Sequence, residues 1–175
     1  LKPIMWADGL EHMPDATKYL PDGITVMYWN YDILNWPTKP SFKLLNNKGI
    51  DIITASGARW GSHNHTMYKY SASMRGIGML TRETQRWGLP GTVVTDWTKA
   101  VPYELTWISL AYGLSEAWGT DVSLFNFERT LGAFRYGLPE EKAYKLVNVY
   151  TLLEEQVPFC EDAQAHLVDY VDRYD

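Results

Sequence analysis

Pro21-Asp22-Gly23-Ile24-Thr25-Val26-Met27-Tyr28-Trp29-Asn30-Tyr31-Asp32 is a turn, an apolar run and a polar aromatic exit, in that order. The run Ile24 to Trp29 is short, β-branched at its start and bounded by turn residues, as a buried parallel strand should be. Three other stretches repeat the arrangement. Lys2 to Trp6 (KPIMW) leads into Ala7-Asp8, and Ile50 to Ala55 (IDIITA) follows Asn47-Lys48-Gly49. Thr92 to Thr95 (TVVT) follows Leu89-Pro90-Gly91 and closes on Asp96-Trp97.

Helix-compatible sequence lies between and after these runs, at 11–20, 41–47, 67–87 and 102–118. Pro102 suits a first helical turn, and Leu105, Ile108, Leu110 and Leu114 are expected to form a buried stripe behind it. Gly76 and Gly78 are expected to break 67–87 into two pieces. Strand followed by helix, four times over, implies a parallel sheet with right-handed crossovers. A complete (β/α)8 barrel takes about 250 residues. The fold expected here is therefore α/β, half of a (β/α)8 TIM barrel made of four parallel β/α units. Residues 1–120 would hold those units. Residues 121–175 would add C-terminal helices to the same domain, with 125–136, 140–155 and 161–172 as the helical stretches.

The 175 residues are 46% hydrophobic and 21% charged, ordinary values for a globular chain. The net charge of −5 disfavours nucleic acid and anionic membrane as partners. No apolar run approaches the roughly 20 residues that span a bilayer. Cys160 is the one cysteine, so no internal disulfide forms. With no signal-peptide pattern, it favours the cytoplasm slightly. The first residue is Leu1 rather than Met, as in a processed or trimmed product or a fragment.

In parallel β/α folds the ligand lies beyond the carboxyl ends of the strands. Those ends here are Trp6-Ala7-Asp8, Trp29-Asn30-Tyr31-Asp32, Ser56-Gly57-Ala58-Arg59-Trp60 and Asp96-Trp97. Each has a Trp and a charged group. The opposite ends carry Pro, Gly, Lys and a lone Asp51. A pyranose has an apolar C–H face that stacks on indole and a rim of hydroxyls that needs carboxylates, amides and guanidinium. This asymmetry makes carbohydrate the expected ligand.

Asp8, Asp32, Asp96 and Glu104 are the acidic candidates. Glycoside hydrolysis needs two carboxyls about 5 to 9 Å apart, a separation that spacing along the chain does not reveal. Capping a helix or holding a sugar hydroxyl is the alternative role for Asp8 and Asp96. His63-Asn64-His65 lacks a Glu or Cys in register and reads as a polar loop, so no metal is expected. Glu161 and Asp162 beside Cys160 oppose thiolate formation. Neither a nucleotide-binding glycine loop nor a G-x-S-x-G elbow occurs, so no cofactor and no serine-hydrolase chemistry is expected.

Lys2-Pro3-Ile4-Met5-Trp6-Ala7-Asp8 resembles the fifth barrel strand of family 20 glycoside hydrolases, the β-N-acetylhexosaminidases, and of their hexosaminidase D-like branch in particular. Gly91-Thr92-Val93-Val94-Thr95-Asp96-Trp97 with Tyr103-Glu104-Leu105 is similar to the eighth strand and the start of its helix. Phe127-Glu128-Arg129 through Tyr136-Gly137-Leu138 resembles the region after the barrel. The resemblance implies retaining, substrate-assisted hydrolysis of terminal N-acetylhexosamines. It further implies that Trp6, Trp29 and Trp97 wall the acetamido pocket and that Glu104 binds sugar hydroxyls; Asp8, Tyr31 and Arg59 join them as expected substrate-binding residues by their place at the strand ends. The third-strand end, with Ser56 and Arg59, matches more loosely. The family's catalytic Asp-Glu pair follows its fourth strand, and no Asp-Glu dipeptide follows a strand here.

Three functions remain open from the sequence. The chain is the C-terminal half of a hexosaminidase-like enzyme completed by a complementary half-barrel. Alternatively it pairs with itself into a homodimer that closes eight strands, bringing Asp8, Asp96 and Glu104 together twice over. The third is a non-catalytic carbohydrate-binding module.

Overall fold

A computed structural model of the chain describes residues 2–31, 39–59, 70–97, 104–119, 123–139 and 141–143. Four strands, β1 (Ile4–Trp6), β2 (Thr25–Trp29), β3 (Asp51–Arg59) and β4 (Gly91–Asp96), form one parallel sheet in the order β1-β2-β3-β4. Ile4 pairs with Thr25 and Thr25 with Asp51, so the three strands start level. Four strands in chain order, with no reversal, wind in one direction only. A doubly wound sheet would reverse at a switch point.

Helices α1 (Asp8–His12), α2 (Pro40–Lys48) and α3 (Tyr70–Arg86) follow β1, β2 and β3, and α4 (Glu104–Ala117) and α5 (Leu124–Tyr136) complete the order. The 11–20 stretch is split in two. α1 starts early at Asp8, and Pro14–Tyr19 is a 3-10 helix. Pro14 lacks an N–H and pushes the preceding residue out of the helical region, so Met13 sits at φ −131°, ψ 72°. Lys48, in the last turn of α2, ties down the 3-10 helix by donating to the carbonyls of Thr17 (3.1 Å) and Leu20 (2.9 Å).

Two expectations are corrected. α3 is a single helix that runs through Gly76 and Gly78. Each glycine costs about 1 kcal/mol in a helix interior, but Met74, Ile77 and Leu80 are fully buried on the same helix. Burying one such side chain contributes about 1.5–3 kcal/mol, so packing outweighs propensity. Among the described residues of α4 the buried large apolar side chains are Ile108 and Tyr112, whereas Leu110 is half-buried and Leu114 67% exposed; the side chain of Leu105 lies outside the described residues. Six residues after Ile108, a side chain has turned about 240° and left the packed face.

The chain forms two compact units, Leu1–Gly57 with Gly76–Thr95 and Ala58–Arg75 with Asp96–Asp175. In the first, Val26, Tyr28 and Ile52 of the sheet pack against Leu10 of α1, Phe42 and Leu45 of α2 and Leu80 of α3. All of this core lies on one face of the sheet. Three hydroxyls stitch it together. Thr54 Oγ1 of β3 is 2.6 Å from Thr84 Oγ1 of α3 and 2.9 Å from Thr92 Oγ1 of β4. Alternation along each strand puts Ile4, Trp6, Met27, Trp29 and Val93 on the other face, where Ile4 is 56% exposed.

In the second unit α4 meets α5 through Tyr112 and Phe127, whose rings are 5.2 Å apart and T-shaped. Ser123 caps α5 by accepting from the Asn126 amide (3.3 Å), and Gly137 ends it at φ 62°, a conformation that suits glycine. Gly132 lets the backbone of Ala143 approach: a Cβ there would stand 2.6 Å from the Ala143 Cβ.

Candidate functional site: the carboxyl rim of β1 and β2

β1 ends on Trp6, which is 38% exposed, and the chain turns at once into α1, placing Asp8 exposed in its first turn. β2 ends on Trp29, followed by Asn30 and Tyr31. The Asn30 amide continues the ladder by donating to the Ala55 carbonyl (3.0 Å). The Trp29 and Tyr31 rings are in contact, with centroids 5.1 Å apart and planes tilted by 40°. Thr95 Oγ1 spends its proton on the Ser56 carbonyl (2.8 Å), so the Tyr31 hydroxyl is the donor where it meets Thr95 Oγ1 at 3.4 Å. The Ser56 hydroxyl turns to the Val93 carbonyl (3.5 Å). Trp29 Nε1 is buried without a hydrogen-bond partner.

The rim also contains four residues that the sequence did not single out. Lys39, at the N-cap of α2, puts Nζ 2.6 Å from Glu11 Oε1 of α1. The pair is partly buried, with side chains 24% and 19% exposed. The same ammonium stands 5.5 Å from the Trp29 ring centroid and 5.8 Å from that of Tyr28, within reach of a cation–π interaction. Tyr28 and Trp29 are consecutive and project to opposite faces of the sheet. An ammonium close to both must stand over the end of the strand.

Beneath it, the Tyr28 hydroxyl is 2.6 Å from Ser41 Oγ. Burial pushes the Tyr28 phenol up to about 12; the Ser41 hydrogen bond pulls the other way and the negative charge of Glu11 adds to the rise. Tyr28 therefore stays a neutral hydroxyl at ordinary pH. A search confined to the last strand residues misses this cluster, because Glu11 sits one turn into a helix and Lys39 immediately before one. Both are nonetheless on the carboxyl side of their units, which is the signal that would have found them.

Of the remaining expected residues, Asp32 belongs to the first unit and the others to the second. Asp96 ends β4 and is exposed, and Trp97 after it is 53% exposed. Arg59 ends β3 and Glu104 opens α4, and their side chains lie outside the described residues, as do Asp32, Trp60, His63, His65 and Cys160. A cleft of about 220 Å³ between α4 and α5, lined by Trp107, Leu131, Phe134 and Tyr136 among others, contains none of the expected site residues. Among the described residues no group of three or more His, Cys, Asp or Glu could hold a metal ion, and no helix is long and apolar enough to cross a membrane.

No protein-family model matches the chain, and neither does any curated protein or solved structure.

Proposed function

We propose that the chain is a family 20 glycoside hydrolase-like half-barrel that holds an N-acetylhexosamine-type sugar at its carboxyl rim and closes its sheet by pairing with a second copy. The observation that carries the reading is the make-up of that rim. Trp6 offers an exposed indole, Tyr31 a positioned hydroxyl, and Lys39 and Glu11 a donor and an acceptor side by side. Flat apolar surface flanked by hydrogen-bonding groups is what a pyranose requires. Trp29, in contact with Tyr31 and Lys39, braces the rim, and Trp6, 38% exposed, offers it indole surface.

Self-pairing is supported by the open face. β1 and β4 are the edges of the sheet, and Ile4, Trp6 and Val93 expose apolar surface on the face opposite the core formed with α1, α2 and α3. Two copies related by a twofold axis along the strands would join β4 of each to β1 of the other, in parallel, and make eight strands, enough to close. The alternative reading is a non-catalytic sugar-binding module, supported by the lack of an Asp-Glu dipeptide after any strand.

Light scattering and a titration with N-acetylglucosamine, followed by tryptophan fluorescence, test both parts. The expected results are a mass of twice 20.1 kDa and a saturable signal that Trp6→Ala removes. A monomer would refute the pairing, and a linear signal would refute the sugar site. Turnover of a chromogenic N-acetylhexosaminide, lost in Asp8→Asn or Asp96→Asn, would separate an enzyme from a binding module.

A further inference from the structure

We infer that Glu11 and Lys39 form the subsite that reads a vicinal pair of free hydroxyls on the bound sugar, and so select an unsubstituted diol. The inference rests on the carbohydrate reading above and names which part of the sugar the rim recognises. An ammonium is donor only and a carboxylate acceptor only. Side by side, with Nζ and Oε1 2.6 Å apart, they offer one donor and one acceptor at a hydrogen bond's separation. Neighbouring equatorial hydroxyls on a pyranose present the complementary pattern: one oxygen accepts from the ammonium, and the next donates to the carboxylate.

The position fits. Lys39 Nζ lies 5.5 Å from the Trp29 ring centroid and so stands over the carboxyl end of β2, at the rim to which the carbohydrate reading assigns the sugar. Both side chains keep about a fifth to a quarter of their surface open, enough for contact and little enough for water to compete poorly. Because the pair is internally neutralised, it recognises polarity without charge. A sugar carrying a carboxylate or phosphate at these positions would therefore gain no net charge attraction from the pair.

The pair also ties α2 to α1, so loss of stability in a variant is separate from loss of recognition. The test must therefore read sugar discrimination. Binding of methyl N-acetylglucosaminide is compared with that of its 4-deoxy and 3,4-di-O-methyl analogues by calorimetry, on the native chain and on Glu11→Gln/Lys39→Met. The native chain should prefer the free diol by about tenfold or more, the worth of a hydrogen bond to a charged group. The double variant should bind all three alike.

Should the native chain bind the three sugars equally, or the variant keep the preference, the diol subsite is overturned while the carbohydrate reading stands. If no sugar binds the native chain, both fall. Lys39→Arg, which keeps charge and donor, provides a second variant should the double one fail to fold. It should retain the preference, and losing it while sugar still binds would count against the subsite.

Discussion

Lys39 Nζ lies 2.6 Å from Glu11 Oε1 across 28 residues of chain, and so joins the first two helices over the end of β2. The contact fixes α2 against α1 and places the ammonium against the rings of Tyr28 and Trp29.

Breaking that pair from one side should cost more than removing it whole. Glu11→Ala leaves an ammonium, and Lys39→Ala a carboxylate, partly buried without its partner, each at about 1–3 kcal/mol. Glu11→Ala/Lys39→Ala should cost clearly less than the sum. Urea denaturation of the four proteins measures the coupling, and strictly additive losses would show that the pair contributes nothing as a pair.

Tyr28 should make the fold sensitive to alkali. Its phenol is held up to about 12 against an ordinary value of 10.0, so the fold favours the neutral form. That contribution, on the order of 2–3 kcal/mol, is fully present below pH 10 and is lost as pH rises toward 12. Tyr28→Phe has no such proton to lose. Its stability deficit relative to the native chain should therefore shrink between about pH 10 and pH 12. A deficit independent of pH would contradict the burial of this hydroxyl.

Thr54→Val keeps shape and removes the hydroxyl shared by Thr84 and Thr92. The expected loss is about 1–3 kcal/mol, since buried polar atoms on α3 and β4 lose a partner. Thr54→Ser, which keeps the hydroxyl, should lose less. Thermal melts that rank valine above serine in stability would remove the network from any account of the fold.

Two helical glycines should respond oppositely to alanine. At Gly76 an added Cβ meets nothing within 4 Å, so Gly76→Ala should stabilise by about 0.5–1 kcal/mol through helix propensity. At Gly132 the same atom meets the Ala143 backbone at 2.8 Å, and overpacking of about 1–3 kcal/mol outweighs the gain. Differential scanning calorimetry should show the melting temperatures moving apart. A shift of the same sign in both would mean that the α5 contact yields freely.

The four strands were legible because each is a short run with turn chemistry on both sides, as Pro21-Asp22-Gly23 before Ile24 shows. Such signals act within a few residues, and so does the one at Pro14. The continuity of α3 was not legible, because Gly76 and Gly78 weaken the local signal while the burial of Met74, Ile77 and Leu80 that offsets them exists only in the folded chain. Leu114 looked buried for the same reason: the pattern gave a stripe, and the partner that selects the buried face is α5.

The candidate site divides along the same line. Trp6, Trp29 and Tyr31 announced themselves as an aromatic rim, since local sequence places them at strand ends. Glu11, Lys39, Tyr28 and Ser41 meet through register and helix packing between segments far apart in the chain. Turn residues, β-branching and alternation are interactions between neighbours, and so four parallel strands in order followed from the amino acids alone. A carboxylate beside an ammonium over the end of a strand depends on where two helices dock, and docking is decided by burial summed over Val26, Tyr28, Phe42 and Leu45 together, a quantity that no local stretch of sequence contains.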